Sequence, residues 1–422
     1  MLVRFKFNNF KCFRDEAVLS MVASKYKSDD KVENTFKTDY YSLLKSAAVY
    51  GANASGKTKL FQAFDFMRDV VFSSDKQSDG WQEKYAPFKL STMSTKEPSI
   101  FEVVFILDGL QYRYGFELNG NEIITEWLFR KKQREIELLY RDAEGISYSS
   151  EAFNDKVASN LIEAKMVRKD TLFLTALSAW NDSLASKIRG WFSNCRVLSA
   201  STSTSPLMGY SISKMDTPLK DSMLKLMQAS DIDIDDMQLN EVPVETLPDE
   251  IKRLLPSKAL GGKVYNGVHT VHKIYDELKL SCGTTKFSLE NDESYGTNRL
   301  FALSAPILDA LNNGSVLWID EIDNGLHAEL LESLVRLFHN DKTNPKNAQL
   351  IINTHSISLI DDSGLYRRDQ IYLTEKNRYG ESVLIPVSDF SGLRPNSKLG
   401  TLYKEGRFGG IPYLNGFNKL EF

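Results

Sequence analysis

The sequence predicts an α/β fold whose working parts come from two segments far apart in the chain, and three observations predict it. The first is Gly51 to Thr58, GANASGKT, a full match to the pattern G-x-x-x-x-G-K-[ST]. It lies between an apolar run, Ala47 to Tyr50, and a stretch in which Leu60, Phe64, Met67 and Val71 repeat at helical spacing. The second is Ser315 to Glu321, Ser-Val-Leu-Trp-Ile-Asp-Glu, an apolar strand-like run closed by two acids. The third is the alternation from Ile100 to Phe129, broken at Asp108-Gly109 and Asn119-Gly120, which reads as an antiparallel meander. Apolar strands running into helices, beside a separate antiparallel sheet, make the class α/β with a mixed sheet.

The residue types in the loop specify its chemistry. Gly51 and Gly56 can take backbone angles closed to other residues, so that main-chain N–H groups approach phosphate oxygens. Asn53 and Ser55 lie in the same arch. Lys57 would set its ammonium on the β- and γ-phosphates, and the Thr58 hydroxyl would ligate Mg²⁺. The helix that starts at Thr58 adds its N–H groups and dipole. A nucleoside triphosphate is the ligand this predicts.

Composition narrows the class. The chain of 422 residues can bury a large core and suits two lobes. Hydrophobic content of 42% and charged content of 26% fit an ordinary globular protein, and no apolar run reaches bilayer length. The opening Met-Leu-Val-Arg-Phe-Lys-Phe alternates like a strand and carries no signal-peptide core. Cys12, Cys195 and Cys282 are widely spaced and odd in number, giving neither a disulfide framework nor a zinc pattern. A cytoplasmic chain with no membrane partner is expected. The net charge of −4 argues against strong non-specific DNA binding by the whole surface, though not against one basic groove.

Taken in order, residues 1–149 form an N-terminal lobe with the phosphate loop. Val3, Phe5 and Phe7 share one face of the first strand, and Arg4 and Lys6 the other. Residues 24–45 are polar and interrupt the hairpin, and 73–98 read as irregular. Residues 150–284 form a compact, mostly helical insertion, with helix-like stretches at 171–189, 218–229 and 249–255 and strand-like runs near 231–242 and 269–280. No heptads are sustained there. Asp231, Asp233, Asp235 and Asp236 read as a solvated edge, since no Gly, Glu or His completes a calcium ligand set. His269, His272, His327 and His339 have no partners at metal-ligand spacing.

Residues 285–422 make the C-terminal lobe. Asp320 ends its strand where it would hold Mg²⁺ next to Thr58. Glu321, one residue on, sits where a carboxylate can polarise the water attacking a γ-phosphate. Ser294-Tyr295-Gly296 precedes a helix-like run from Asn298 to Leu311, and a hydroxyl with N–H groups at a helix start suits an anion. A helix with Leu326, Leu330, Leu334 and Leu337 on one face follows the acids. Gln349 to Asn353 is a second buried-strand run, ending in Thr354-His355.

Lys57 and Asp320 lie more than half the chain apart, while Ser294, Asp320 and His355 fall close together. This layout resembles a split ABC-type P-loop ATPase head of the RecF/SMC kind. The Asn-Phe-Lys-Cys-Phe turn at 9–13 resembles that class's first hairpin, Gly51–Thr58 its Walker A loop and Asp320-Glu321 its Walker B pair. Ser294-x-Gly296 resembles a degenerate signature motif, Asp323 to His327 the D-loop and His355 the switch histidine. The resemblance implies ATP and Mg²⁺ as ligands, with Glu321 and His355 catalytic. It also implies a head-to-head dimer or higher oligomer, in which Ser294 and Gly296 of one copy cover the ATP of another. Such heads carry a glutamine that touches Mg²⁺; Gln82, Gln111 and Gln133 remain alternatives.

The opening hairpin, the loop, Glu293-Ser294-Tyr295-Gly296-Thr297, Trp318-Ile319-Asp320-Glu321-Ile322-Asp323 and the tail Leu402 to Pro412 resemble bacterial abortive-infection ATPases of the RloA/AbiL kind. That resemblance implies a phage-defence ATPase controlling a separately encoded effector, a nuclease. A RecF/SMC-like DNA-repair ATPase is one alternative, with Lys131, Lys132, Arg134, Arg168 and Lys169 as DNA-facing candidates. An ATP-gated scaffold with little turnover is the other. No Glu…Asp-x-Asp set ends a strand after His355, so intrinsic nuclease activity is not expected.

Overall fold

The computed structural model describes residues 1–25, 31–75, 80–199, 204–230, 232–243, 263–360, 364–393 and 397–410. Two compact units are present. The first comprises Met1–Ala200, Asn313–Asp323 and Glu332–Phe422, and the second Ser201–Asn312 and Asn324–Leu331.

The chain opens with β1 (Leu2–Asn8), β2 (Ala17–Ser20), the short pair β3 (Thr35–Lys37) and β4 (Ser42–Leu44), then β5 (Ser46–Gly51) and α1 (Lys57–Ser73). Next come β6 (Ser99–Leu107), β7 (Leu110–Leu118), β8 (Ile123–Lys131), β9 (Glu135–Arg141) and β10 (Ile146–Tyr148). Helices α2 (Asp155–Glu163), α3 (Phe173–Ala179) and α4 (Ser183–Asn194) lead to β11 (Cys195–Leu198). Then follow α5 (Thr204–Lys214), α6 (Leu219–Gln228), β12 (Asp236–Pro243), β13 (Lys263–Tyr275), β14 (Ser281–Ser288) and α7 (Tyr295–Asn313). The chain continues through β15 (Val316–Ile319), α8 (Ala328–His339), β16 (Gln349–Asn353), β17 (Ile371–Lys376), β18 (Ser382–Pro386) and α9 (Leu399–Lys404).

Two sheets build the first unit. One is antiparallel, in the order β10-β9-β8-β7-β6-β1-β2, and contains the expected meander. The other has the order β11-β15-β16-β5-β17-β18, parallel except for β18. Strands β5, β15 and β16 are buried along their whole length, which is why they read as unbroken apolar runs rather than alternating ones. The phosphate-loop strand therefore sits centrally, between β16 and β17.

One aromatic core joins the sheets to α1. Trp318 on β15 stacks on Phe64 with centroids 4.6 Å apart, takes Phe61 edge-on at 5.2 Å, and meets Phe5 of β1 at 6.2 Å. Truncating such a buried Trp costs about 3–5 kcal/mol, so the strand that ends in the two acids is tied firmly to the phosphate-loop helix.

Three local readings change. Val3 does not share the face of Phe5 and Phe7: a bulge between Leu2 and Arg4 against β6 turns it toward Phe36, Leu43, Val104 and Ile106, and Leu2 joins the main core instead. The helical stretch 171–189 is two helices. Asn181 is left-handed (φ 60°), and Asp182 then caps α4 by accepting from the Ala185 N–H at 2.8 Å. The buried face of α8 is Leu331, Leu334, Val335 and Phe338, so the apolar stripe is rotated from the one the leucines suggest. The helical reading of 249–255 lies outside the described residues.

In the second unit, β12-β13-β14 form a three-stranded antiparallel sheet. Ser211 donates to the Ala302 carbonyl at 2.9 Å, and Lys214 pairs with Asp309 at 3.4 Å, fixing α5 on α7. Asp235 and Asp236 pair with Lys273 and Lys220, as befits a solvated edge. Among the described residues no group of three metal-ligating side chains forms, and no helix is long and apolar enough to cross a membrane.

Candidate functional site

The site in the first unit lies at the C-terminal ends of β5, β15 and β16. Gly51 ends β5 at φ +153°, and a Cβ there would collide with the Thr374 hydroxyl and lie 2.5 Å from Ser55 Oγ. Gly56 at φ +119° is the residue before α1, and its Cβ would fall 3.0 Å from Ser382 Oγ. Both positions demand glycine, for backbone angle and for space. The arch is closed from the side by Thr374 of β17, whose hydroxyl contacts Ser55 Oγ at 2.5 Å and donates to the Tyr50 carbonyl at 3.2 Å.

Lys57 is buried and curls back onto the arch, donating to the carbonyls of Gly51 (2.7 Å) and Ala52 (3.1 Å). Burial draws its ammonium down to about 8, against the pull of Glu321, Asp320 and Asp323. Thr58 donates to Asp320 Oδ1 at 3.1 Å, although more than half the chain separates them. Asp320 is fully buried at the end of β15.

Asn353 at the end of β16 organises both acids. Its amide donates to Asp320, and its Oδ1 accepts the Glu321 N–H at 2.7 Å. Glu321 is held in a left-handed conformation (φ 50°), rare for a residue with a Cβ. Asp323 accepts the backbone N–H of His355 at 3.0 Å. His355 lies below the usual imidazole range, through partial desolvation first and the nearby Lys57 charge second.

The structure thus brings Gly51, Asn53, Ser55, Gly56, Lys57, Thr58, Asp320, Glu321 and His355 into one region. Sequence reasoning missed Asn353, Thr374 and the tail residue Tyr403. The signal for Asn353 was present as a polar residue closing an otherwise apolar strand. Gly51, Asn53, Ser55, His355, Thr374 and Tyr403 line a cavity of about 560 Å³ beside the arch.

Ser294 and Gly296 belong to the second unit. The Ser294 hydroxyl accepts the Thr297 N–H at 3.1 Å, so it caps α7, which begins at Tyr295 rather than at Asn298. Gly296 packs so closely on Gly325 that a Cβ would lie 2.8 Å from its carbonyl oxygen, and the Tyr295 ring covers Gly325. Glu293 is held by His272 (2.7 Å) and Thr270 (2.5 Å).

Several of the remaining candidates are engaged elsewhere in the fold. Gln82 donates to Asp170 at 3.3 Å, and Gln111 is buried on β7 with its side-chain oxygen unpartnered. Lys169 pairs with Glu122 and Arg168 with Asp170. His339 contacts Ser46 Oγ at 2.6 Å, and burial lowers its pKa to about 3, so it stays neutral.

The donor set at Thr58 and Asp320 is one hydroxyl and one carboxylate, both hard oxygens. It fits Mg²⁺, which is held by one or two protein oxygens and completes its octahedron with water and phosphate. A strand, a glycine-bounded arch, a helix carrying Lys57 and Thr58, and a buried acid facing them from a neighbouring parallel strand define the P-loop ATPase class. The chain belongs to the family described as "AAA domain, putative AbiEii toxin, Type IV TA system", which matches residues 46–183 and 196–361.

No curated protein matches the chain. Solved structures that do include the SMC head domain from Thermotoga maritima, at 14% identity over 91% of this chain and 98% of that one, TM-score 0.40. A second is the SmcHead bound to the C-winged helix domain of ScpA, at 13% identity over 91% and 96%, TM-score 0.41. A third is the Smc head domain with an extended coiled coil bound to the C-terminal domain of ScpA derived from Pyrococcus furiosus, at 12% identity over 96% and 98%, TM-score 0.37.

Proposed function

We propose that this chain is the ATP-binding and ATP-hydrolysing subunit of an abortive-infection system. Nucleotide-dependent association of its copies would control a separately encoded effector, a nuclease. The observation that carries the hydrolytic part is the pairing of Asp320 and Glu321 on one side chain, Asn353, beside Thr58 and Lys57. The family's description as a toxin–antitoxin ATPase domain supports the defence setting.

In this reading the arch N–H groups and Lys57 bind the β- and γ-phosphates. Lys57 leaves the Gly51 and Ala52 carbonyls to do so, exchanging two neutral acceptors for an anion that favours its charged form. When bound at Thr58 and Asp320, Mg²⁺ would neutralise charge on the phosphate oxygens. Glu321 orients and deprotonates the attacking water, its position set by the Asn353 hydrogen bond to its own backbone. His355 faces the γ-phosphate side and reports its loss. Ser294 and Gly296 of a neighbouring copy close over the nucleotide, and residues 150–284 or the C-terminal segment pass the change to the effector.

Steady-state hydrolysis by the purified chain tests the reading. Phosphate release that needs Mg²⁺ and is abolished in both Lys57→Ala and Glu321→Gln supports it. Nucleotide binding without turnover in the wild-type chain would turn the reading to an ATP-gated scaffold.

A further inference from the structure

Residues 397–410, which have no phosphate-binding pattern of their own, fold back onto the phosphate loop. Tyr403, on α9, is 8% exposed, and its ring meets that of Tyr50, the residue before the arch, at 5.9 Å. Its hydroxyl donates to the Gly410 carbonyl at 3.1 Å.

Gly409 and Gly410 are both left-handed (φ +69° and +70°). A Cβ on Gly409 would lie 2.6 Å from Glu375 Oε2, and one on Gly410 would lie 3.6 Å from the Gly51 Cα. Two consecutive left-handed glycines turn the tail so that Gly410 comes within van der Waals range of the first residue of the arch.

The geometry points to Tyr403 as a positioning residue for the phosphate loop, and to Leu399–Gly410 as a clasp whose docking is coupled to nucleotide binding. Gly51 is held on three sides. Its carbonyl holds Lys57, Thr374 packs on its Cα, and Gly410, held by the Tyr403 hydroxyl, lies against it from the tail. An arch that binds phosphates through main-chain N–H groups gains affinity when its conformation is fixed beforehand. If the docked tail favours the binding-competent arch, nucleotide must favour the docked tail by the same factor, because the linkage is reciprocal. This rests on the reading that the loop binds ATP.

The test uses the full chain and a non-hydrolysable ATP analogue with Mg²⁺. Two readouts are taken: analogue affinity by calorimetry, and amide hydrogen exchange over 399–410. Tyr403→Phe keeps the ring on Tyr50 and loses only the hydroxyl. We expect about fivefold weaker binding, the size of one lost hydrogen bond, with kcat at saturating ATP within about twofold of wild type. Nucleotide should slow exchange over 399–410 in the wild-type chain and leave it unchanged in Lys57→Ala. Tyr403→Phe binding as wild type, together with exchange indifferent to nucleotide, overturns the coupling while leaving ATP binding in place. A wild-type chain that binds no more analogue than Lys57→Ala overturns both this inference and the reading beneath it.

Discussion

The backbone N–H of Glu321 donates to Asn353 Oδ1 at 2.7 Å, and the amide of the same side chain turns to Asp320. One residue on the neighbouring parallel strand therefore holds both the Asp320 carboxylate and the left-handed backbone of Glu321. Asn353 is fully buried, so neither bond is exchanged with solvent. The two acids are a rigid pair rather than two independent surface groups.

Asn353→Asp follows directly from this. It keeps the size of the side chain but replaces a donor with a second anion facing Asp320. We expect a 10- to 100-fold loss of kcat, in the range found when side chains supporting metal-site ligands are altered (about one to two decades). Circular dichroism should show the fold retained, and Asn353→Ala should lose a similar amount. Wild-type turnover in both variants would contradict the pairing argument.

Lys57 predicts opposite trends with pH. Its folded-state pKa of about 8 lies below the unfolded lysine value of roughly 10.4. Across that window the unfolded chain keeps a proton that the folded chain has lost, so the Lys57 contribution to stability rises with pH. Triphosphate binding needs the charge, so affinity should fall through the same window. Calorimetric titration of ATP from pH 7 to pH 9.5 checks this, with Lys57→Met weaker at pH 7 and flat above it. A flat profile in the wild-type chain would sink the assignment.

Thr374 is the third expectation. Its hydroxyl serves Ser55 and the Tyr50 carbonyl from β17. Thr374→Val keeps the shape and strands both partners in a buried place. The expected cost is about 1–3 kcal/mol of stability and a several-fold rise in the ATP dissociation constant. Chemical denaturation and calorimetry measure the two effects separately. A change in neither would mean that the arch is fixed by its own sequence alone.

How much of this could be read from the chain depends on how local each relation is. Gly51 to Thr58 is legible because the whole cradle is made of consecutive residues. The meander is legible because tight turns at Asp108-Gly109 and Asn119-Gly120 fix the pairing of neighbours. Asn353, Thr374 and Tyr403 are not, because they reach the arch only once β16 and β17 flank β5, and a strand order is not written in any one strand. The break at Asn181-Asp182 is marked in the sequence only by an Asn, which tolerates a left-handed backbone, followed by a capping Asp, and the helical period on either side conceals it. Strand β11 is four residues long and too short for any period to announce it. The bulge at Val3 flips one residue in a run that otherwise alternates, which only the partner strand reveals.

The central claim is that ATP brings copies together and that Glu321 ends that state by hydrolysis. The solution mass of the Glu321→Gln variant, with and without ATP–Mg²⁺, tests it most directly. The account predicts that ATP shifts the variant to a dimer or higher even-numbered assembly, and that adding Ser294→Arg abolishes the shift. A variant that binds ATP and stays a monomer would contradict it.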